Sequence, residues 1–266
     1  MPDFYSQPIV YRFQETAPAR VHRDIVYKRA DDMDLKMDVY VPSDLPDNAR
    51  LPAVIFIHGG PLHPDSTLLP KEWGVYKSYG ALIAASGFVG VTFNHRFFNI
   101  EHLPKSASDL NDALHFVREN STALNVDPDR LCLWGFSNGG LLLAAALLGT
   151  PSFLRCLLAF YARLELSSDA STNFSEDDAK HFSSIAALEE SLSLSLPMFV
   201  ARAGQDQLDG LNETIDRFIQ TALAKNSPVT LINHPNGRHA FDILDDDART
   251  DEIIALAIEF IKTHLL

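Results

Sequence analysis

The stretch LCLWGFSNGGLLLAAALL, residues 131–148, decides the fold of this chain. Its first six residues form a short apolar run of the kind that suits a strand buried on both faces. Its last eight residues are Ala/Leu-rich, which favours a helix. Between them, Gly135, Ser137 and Gly139 form the pattern Gly-x-Ser-x-Gly, which between a strand and a helix marks a sharp turn that exposes the serine hydroxyl. The stretch therefore predicts an α/β fold with Ser137 at the carboxyl end of a strand.

The same alternation of strand and helix continues in both directions from this turn. Apolar runs alternate with amphipathic segments, which predicts a mainly parallel sheet covered by helices on both faces. The predicted strands are 53–58, 89–94, 131–136, 157–162, 198–203 and 229–234, and the helices lie near 72–86 and 107–120, after Ser137, after 209 and after 249. Residues 21–41 predict antiparallel strands at the N-terminal edge. The expected fold class is a doubly wound α/β domain that spans residues 1–266.

One segment, residues 163–196, interrupts this alternation. It contains nine Ser and seven Asp or Glu residues. This composition is too polar for a sheet strand, and the segment is longer than a usual connection between a strand and a helix. We therefore expect a small cap or lid with short helices, inserted into the single domain.

The charge of the chain excludes two classes of partner. It has 22 Lys and Arg residues against 35 Asp and Glu residues, which gives a formal net charge of −13. Binding to nucleic acid or to an anionic membrane surface depends on clustered basic residues, so neither partner is expected. No run approaches 18 consecutive apolar residues, so we expect no transmembrane span. The expected partner is a small-molecule substrate, bound by a monomer or homodimer.

The cysteines and histidines bear on compartment and cofactors. Cys132 and Cys156 lie in apolar runs, where free cysteine behaves as a small buried hydrophobic residue, so no disulfide is expected. The N-terminus lacks the basic and apolar regions of a secretory signal, and these features together predict a cytoplasmic protein. The histidines show no recognised zinc-binding spacing, so we expect neither a metal nor another cofactor.

Three further motifs accompany the serine turn. They are His58-Gly59-Gly60 after a predicted strand, Asn94-His95-Arg96 after the next strand, and Asp109-x-x-x-Ala113 in the following helix. With these motifs the chain resembles the α/β-hydrolases, and within them the esterases of the hormone-sensitive-lipase and dienelactone-hydrolase branches. The resemblance covers about residues 20–265. It implies a serine nucleophile at Ser137, followed along the chain by an acid and then a histidine.

The chain offers an acid and a histidine in that order. Asp206 follows the strand 198–203, and His239 lies between the last strand and the C-terminal helix. A serine hydroxyl needs an imidazole to take its proton, and the imidazole needs a carboxylate to orient it. We therefore assign Asp206 and His239 to these roles. Asp209 is the rival acid, although it fits better as a turn or cap residue before a helix.

The alternative bases are three histidines at or just after the ends of predicted strands. His58 belongs to the glycine turn and is expected to support it, while His95 is a candidate for packing at a strand end. His234 precedes Pro235, which favours an extended position attached to the sheet. All three are expected to be structural.

The oxyanion hole is expected to use backbone amides from two loops. The turn at Ser137 presents the amide of Asn138, and the resemblance adds Gly60 and Gly59 from the other loop. Related esterases have a third glycine where this chain has Pro61, and proline has no N–H group to donate. A two-donor hole formed by Gly60 and Asn138 is therefore expected. His-Gly-Gly-Pro sequences also occur in some proline-specific peptidases of the superfamily, which keeps amide substrates open.

Aromatic residues next to the predicted strand ends are candidates for the substrate pocket. The candidates are Phe98, Phe136, Tyr161 and Phe241. The polar cap lacks the broad apolar surface of an interfacial lipase, which favours short acyl esters. The expected function is a serine carboxylesterase that works through an acyl-enzyme. The alternatives are an amide or peptide hydrolase and a non-catalytic, ligand-binding relative.

Overall fold

The computed structural model describes residues 4–13, 18–46, 48–62, 68–149, 151–166, 174–190 and 195–266. In chain order the strands are β1 Arg20–Ala30, β2 Met33–Val41, β3 Leu51–Ile57, β4 Val89–Phe93, β5 Val126–Phe136, β6 Leu154–Phe160, β7 Met198–Ala203 and β8 Val229–His234. The helices are α1 Gly74–Ala85, α2 Leu103–Glu119, α3 Leu143–Gly149, α4 Glu176–His181, α5 Ser184–Glu190, α6 Leu211–Ala224, α7 Phe241–Leu244 and α8 Ala248–Leu265.

The strands form one open sheet in the order β1-β2-β4-β3-β5-β6-β7-β8. β2 is antiparallel to both of its neighbours, while β3 to β8 run parallel. The predicted doubly wound fold with antiparallel N-terminal strands is therefore confirmed. Some boundaries differ from the prediction. Strand β5 extends back through the polar residues at 126–130, and α2 begins at Leu103, before the predicted start near residue 107.

Apolar side chains alternate between the two faces of the sheet and build a core on each. In β5, Leu131 and Leu133 pack into one core, whereas Cys132, Trp134 and Phe136 pack into the other. The first core includes the apolar residues of α2 and α6, and the second includes those of α1 and α8. This two-sided burial explains why the central strands are continuous apolar runs in the sequence.

The strand order reverses around β3, and this reversal creates a crevice. The chain passes from β3 to β4 on one side and then crosses to β5 on the other. In open α/β sheets, ligands bind at such a switch point, at the carboxyl ends of the strands. The loops that follow β3 and β5 carry the His58-Gly59-Gly60 motif and Ser137, so both motifs lie at this crevice.

A buried ion cluster ties the end of β4 to α2. The guanidinium of Arg96 donates to both carboxylate oxygens of Asp109, at 2.9 and 2.7 Å, and the ammonium of Lys28 lies 2.7 Å from the same carboxylate. Asp109 is fully buried, and its ion partners satisfy the charge. The two separate motifs of the sequence are therefore one structural unit that supports the loop after β4.

The polar segment 163–196 is described in part. Its described residues include α4 and α5, and the Ser184 amide donates to the Leu164 carbonyl at 2.8 Å. Its prediction as a cap also covers residues outside the described ranges, namely 167–173 and 191–194, and it stays a prediction. Within the described ranges, none of the helices is long and apolar enough to span a membrane.

Candidate active site

Ser137 lies on a strained turn between β5 and a short 3₁₀ segment, Ser137–Leu142. Its φ of 52° falls in the left-handed region, which is uncommon for residues other than glycine. Gly139 makes the turn possible, because a Cβ there would lie only 2.5 Å from the His58 carbonyl oxygen at the end of β3. The Arg163 amide donates to the Ser137 carbonyl at 2.9 Å and holds the turn from the β6 side.

His239 connects Ser137 to Asp206. The His239 Nε2 atom lies 3.0 Å from Ser137 Oγ, and Nδ1 lies 2.6 Å from Asp206 Oδ2. The other oxygen of Asp206 accepts from the Leu208 amide at 2.9 Å, which fixes the carboxylate plane. Because a carboxylate accepts from Nδ1–H, Nε2 is left as the acceptor for the serine proton.

The loops that carry the acid and the base are hydrogen-bonded to each other. The Gly204 amide donates to the His234 carbonyl and the Gln205 amide donates to the Gly237 carbonyl, both at 2.8 Å. These bonds continue the pairing of β7 and β8 beyond the strand ends. Asp209, the rival acid, instead offers its backbone carbonyl to the Arg163 guanidinium at 2.8 Å. The geometry therefore brings Asp206, rather than Asp209, to His239.

His58 and His95 lie below the glycine loop as a stacked pair. Their ring centroids are 3.6 Å apart, with 11° between the planes. The His95 amide donates to His58 Nε2 at 3.3 Å, so the His58 proton resides on Nδ1, which donates to the Gly59 carbonyl at 2.7 Å. Burial lowers the pKa of His58 to about 4 and also lowers that of His95 well below its usual value. Both rings are therefore neutral supports of this loop near pH 7.

His234, the third alternative base, lies away from the serine. It is buried at the end of β8, where its Nε2 atom is 3.2 Å from the Thr250 hydroxyl and 3.4 Å from the Asp247 carboxylate. These contacts anchor the start of α8 to the sheet, in agreement with the sheet-attached position expected from Pro235.

The loop after β3 passes directly over Ser137. A Cβ on Gly59 would lie 2.8 Å from the Ser137 Cβ and 3.3 Å from its Oγ, so only glycine allows this approach. Burial raises the pKa of Tyr76, and a backbone hydrogen bond from Gly59 opposes that rise. The loop therefore places the backbone of Gly59 beside both Ser137 and Tyr76.

Asn138 and Arg163 join this loop to the serine turn. The Asn138 side-chain amide donates to the Gly60 carbonyl at 2.6 Å, and its oxygen accepts from Arg163 Nε at 3.0 Å. The sequence predicts a role for the backbone amide of Asn138 alone. Its side chain also fixes the position of Gly60 relative to Ser137.

A cavity of about 200 Å³ opens beside Ser137 and His239. Two of the four predicted pocket residues, Phe136 and Tyr161, line it. The remaining lining residues are Phe4, Tyr5, Gly59, Gly60, Pro61, Trp73, Val75, Tyr76, Ala240 and Ile243. The cavity therefore has mainly aromatic walls around the serine and the histidine.

The other two predicted pocket residues lie elsewhere. Phe98 is 38% exposed and packs edge-to-face on His102, while Phe241 is fully buried behind Tyr161 with ring centroids 5.5 Å apart. Neither belongs to the lining formed by the described residues. Position next to a strand end does not determine the direction of a side chain, because the turn that follows sets it.

The N-terminal wall of the cavity was not predicted from the sequence. Tyr5 packs on Trp73 with ring centroids 4.4 Å apart, and the Ile9 amide donates to the Ser78 hydroxyl of α1 at 3.0 Å. These contacts bring residues 4–13 across α1 to the cavity. The sequence carries only a weak signal for this, namely the aromatic residues Phe4 and Tyr5 ahead of the first strand.

The sheet order, the strained serine turn after β5, and the histidine and carboxylate on the loops after β8 and β7 define the α/β-hydrolase class. The BD-FAE family model matches residues 37–188, which is more than half of the chain. The chain belongs to the BD-FAE family.

Curated relatives and solved structures resemble the chain more distantly. Liver carboxylesterase of Sus scrofa is 31% identical over 113 residues, which covers 40% of this chain and 19% of that protein. Isoprenylcysteine alpha-carbonyl methylesterase ICME of Arabidopsis thaliana is 29% identical over 153 residues, covering 56% and 31%. These two and six further curated relatives are matched over only 8% to 31% of their own lengths.

A structure of a thermophilic esterase of Thermogutta terrifontis, Est2 with propionate bound, superposes on most of the chain. The TM-score is 0.74 at 22% identity, and the match covers 94% of this chain and 96% of the other. At this identity the similarity establishes the shared fold.

Proposed function

We propose that the protein is a serine carboxylesterase that hydrolyses small esters through an acyl-enzyme. The observation that carries the proposal is the continuous hydrogen-bonded connection from Ser137 through His239 to Asp206. The names of the curated relatives, which include carboxylesterases and a methylesterase, support the same reaction class.

In this proposal Ser137 Oγ attacks the ester carbonyl while His239 Nε2 takes its proton. The resulting imidazolium is stabilised by Asp206, and it returns the proton to the leaving alcohol oxygen as the acyl-enzyme forms. A water molecule then gives its proton to His239 and attacks the acyl-enzyme. The serine regains its proton as the carboxylic acid leaves. These steps use side chains of this chain and no cofactor.

The negative oxygen of each tetrahedral intermediate needs hydrogen-bond donors from both loops. We propose the amides of Gly60 and Asn138 for this role, with Gly59 as a further candidate on the same loop as Gly60. One donor of this kind contributes roughly 10² to 10³ in rate. The side-chain bond from Asn138 to Gly60 supports the pair, since it fixes the separation of the two loops.

The size of the cavity supports short acyl groups. About 200 Å³ of space is bounded by bulky aromatic rings, including Tyr5, Trp73 and Tyr161. We also propose a cap at about 163–196, whose described helices α4 and α5 contribute apolar residues to the core, with α5 packed against α3 and α6. We further propose a cytoplasmic monomer or homodimer, supported by the two buried free cysteines and the net charge of −13.

Turnover of a p-nitrophenyl ester series tests the reaction class and the acyl preference together. We expect acetate, propionate and butyrate esters to be hydrolysed with higher kcat/KM than the octanoate ester. Matched aminoacyl p-nitroanilides test the amide alternative suggested by the His-Gly-Gly-Pro sequence, and faster turnover of the anilides would contradict an esterase. Absence of turnover together with no labelling by a fluorophosphonate would favour a non-catalytic, ligand-binding protein.

A further inference from the structure

A second buried carboxylate, Asp242, lies beneath the cavity. It is fully buried at the start of α7, three residues after His239. Its Oδ1 atom accepts from the Tyr161 hydroxyl and its Oδ2 atom from the Tyr79 hydroxyl, both at 2.8 Å. Two hydroxyl donors on separate oxygens are the arrangement expected for an ionised carboxylate.

Tyr161 connects this carboxylate to the base. Its ring lies edge-to-face with His239, with ring centroids 4.9 Å apart. The backbone of Tyr161 has a φ of 37°, and its amide donates to the Ala201 carbonyl at 2.7 Å. Strain of this kind persists where the surroundings over-determine the conformation, and here the Asp242 bond fixes the far end of the ring.

The titratable groups that face Asp242 come from three elements. They are Tyr76 and Tyr79 on α1, Tyr161 after β6, and His239 in the loop before α7. Burial raises the pKa of Asp242 to about 6, while the two tyrosine bonds and His239 oppose that rise. Burial also raises the pKa of Tyr79 and Tyr161 well above the usual value, so both remain donors. Above about pH 6 a negative charge therefore lies in the low-dielectric floor of the site.

Residue 242 is an aspartate, although a neutral side chain would be less costly to bury at this position. An asparagine side chain could accept from one of these hydroxyls and donate to the other, and it would avoid the cost of removing a charge from water. Of the titratable groups that face Asp242, His239 is the basic one. A negative charge buried at this position therefore lies near the imidazole that becomes positive during the reaction, and it favours that positive form.

We infer that Asp242 is a positioning residue for the base: it holds Tyr161 against His239, and its charge stabilises the imidazolium that forms when His239 takes the Ser137 proton. The inference rests on the proposed function. In this step the Ser137 O–H bond breaks and the His239 Nε2–H bond forms, while Asp242 keeps its charge and accepts no proton. Asp206 orients the imidazole directly, and Asp242 acts on it through Tyr161 and through space.

The test compares pH profiles of Asp242→Asn with those of the wild type. Two rates are measured between pH 5 and 9: kcat/KM for p-nitrophenyl acetate, and labelling of Ser137 by a fluorophosphonate. Loss of the charge disfavours the imidazolium, so the midpoint of the acid limb should fall by on the order of 0.5 to 1 unit in both profiles. The plateau rate should fall by roughly 10-fold.

The matched control is Asp246→Asn, which removes the same charge four residues later. Asp246 is exposed and pairs with the exposed Arg12, so solvent screens it and the acid limb should stay in place. If Asp242→Asn does not fold, Tyr161→Phe serves instead. Tyr161→Phe removes one of the two hydroxyl donors to Asp242, and this loss favours the neutral form of the carboxyl group. The midpoint of the acid limb should therefore fall in this variant too, but by less than in Asp242→Asn.

Acid limbs that coincide for wild type, Asp242→Asn and Tyr161→Phe would overturn the inference and leave Asp242 a structural residue. The labelling profile separates this result from failure of the proposed function. A protein that is labelled at Ser137 with a shifted acid limb, yet hydrolyses no ester, would retain the role of Asp242 and lose the assigned substrate class.

Discussion

The side-chain amide of Asn138 donates to the backbone carbonyl of Gly60 at 2.6 Å. This bond joins the loop after β3 to the turn after β5, and the backbone amides of the same two residues are the proposed oxyanion donors. Arg163 orients the Asn138 side chain from its other end. One side chain therefore sets the spacing between the two halves of the proposed oxyanion hole.

Asn138→Ala should lower kcat for p-nitrophenyl acetate by about 10- to 100-fold with a small change in KM. The backbone donors remain, but their spacing is no longer fixed, and oxyanion stabilisation acts mainly in the transition state. Steady-state kinetics measures this split.

The matched control for this variant is Asn120→Ala. Asn120 also donates its side-chain amide to a backbone carbonyl, that of Phe116 at 2.9 Å, but it does so at the end of α2. Its kinetics should equal those of the wild type. A pure increase in KM for Asn138→Ala would show that the side chain serves substrate binding instead.

Asp109→Ala should destabilise the fold by about 3–5 kcal/mol, because it removes the buried, bidentate partner of Arg96 and leaves that buried guanidinium paired with the half-exposed Asp31. Asp112→Ala removes a half-exposed carboxylate that pairs with the same Lys28, and its cost should stay below about 1 kcal/mol. Urea unfolding of both variants measures the difference. Equal losses would show that the buried cluster contributes no more than a surface ion pair.

The serine turn and the central strands could be predicted from the sequence because their signals are local. A strand buried on both faces must be apolar throughout, and the turn requires glycines at fixed positions around Ser137. The pairing of Arg96 with Asp109 could not be predicted in the same way. The two residues are 13 positions apart, and only the packing of α2 against the sheet brings them together.

The pocket was less predictable than the chemistry at its base. Phe136 and Tyr161 line the cavity as expected, but the direction of Phe98 depends on the backbone of the loop after β4. Tyr5 reaches the cavity from a segment that precedes the whole sheet, and its position depends on contacts with α1. Such contacts leave no periodic pattern in the sequence.

Tyr5→Ala should widen the cavity and relax the selection against long acyl chains. Burial of a methylene contributes about 0.8 kcal/mol, so two or more additional buried methylenes should raise the octanoate-to-butyrate ratio of kcat/KM by roughly 10-fold. Tyr11→Ala is the control, since Tyr11 belongs to the same N-terminal segment but lines a different surface pocket. A ratio that changes equally in both variants would contradict the assignment of Tyr5 to the acyl wall.

His95→Phe should reduce the sensitivity of the fold to acid. Burial lowers the pKa of His58 and His95 in the folded protein, so the unfolded chain binds more protons at acid pH. The folded state therefore loses stability as the pH falls below about 6.5, the usual pKa of histidine. For His58 this loss continues until the pH reaches its folded-state pKa of about 4. Removing His95 should therefore shrink the fall in unfolding free energy between pH 7 and pH 4.5 by about 2 kcal/mol.

Asp242 has the opposite effect on the pH dependence of stability. Its pKa is raised by burial, so its contribution to stability grows as pH falls from about 6 toward 4. Asp242 is present in both the wild type and His95→Phe, so its contribution cancels in the difference between their unfolding free energies. His115→Phe changes an exposed histidine and serves as the control. An unchanged pH dependence in His95→Phe would show that His95 takes up a proton in the folded protein.

The most direct measurement of the central claim is the intact and peptide-resolved mass of the protein after treatment with a fluorophosphonate, combined with p-nitrophenyl acetate turnover, for wild type and Ser137→Ala. We expect one adduct on Ser137 in the wild type. In Ser137→Ala we expect no adduct and a loss of kcat of at least about 10⁴-fold, because the nucleophile that His239 activates is absent. An adduct on another residue, or turnover by Ser137→Ala equal to that of the wild type, would contradict the account.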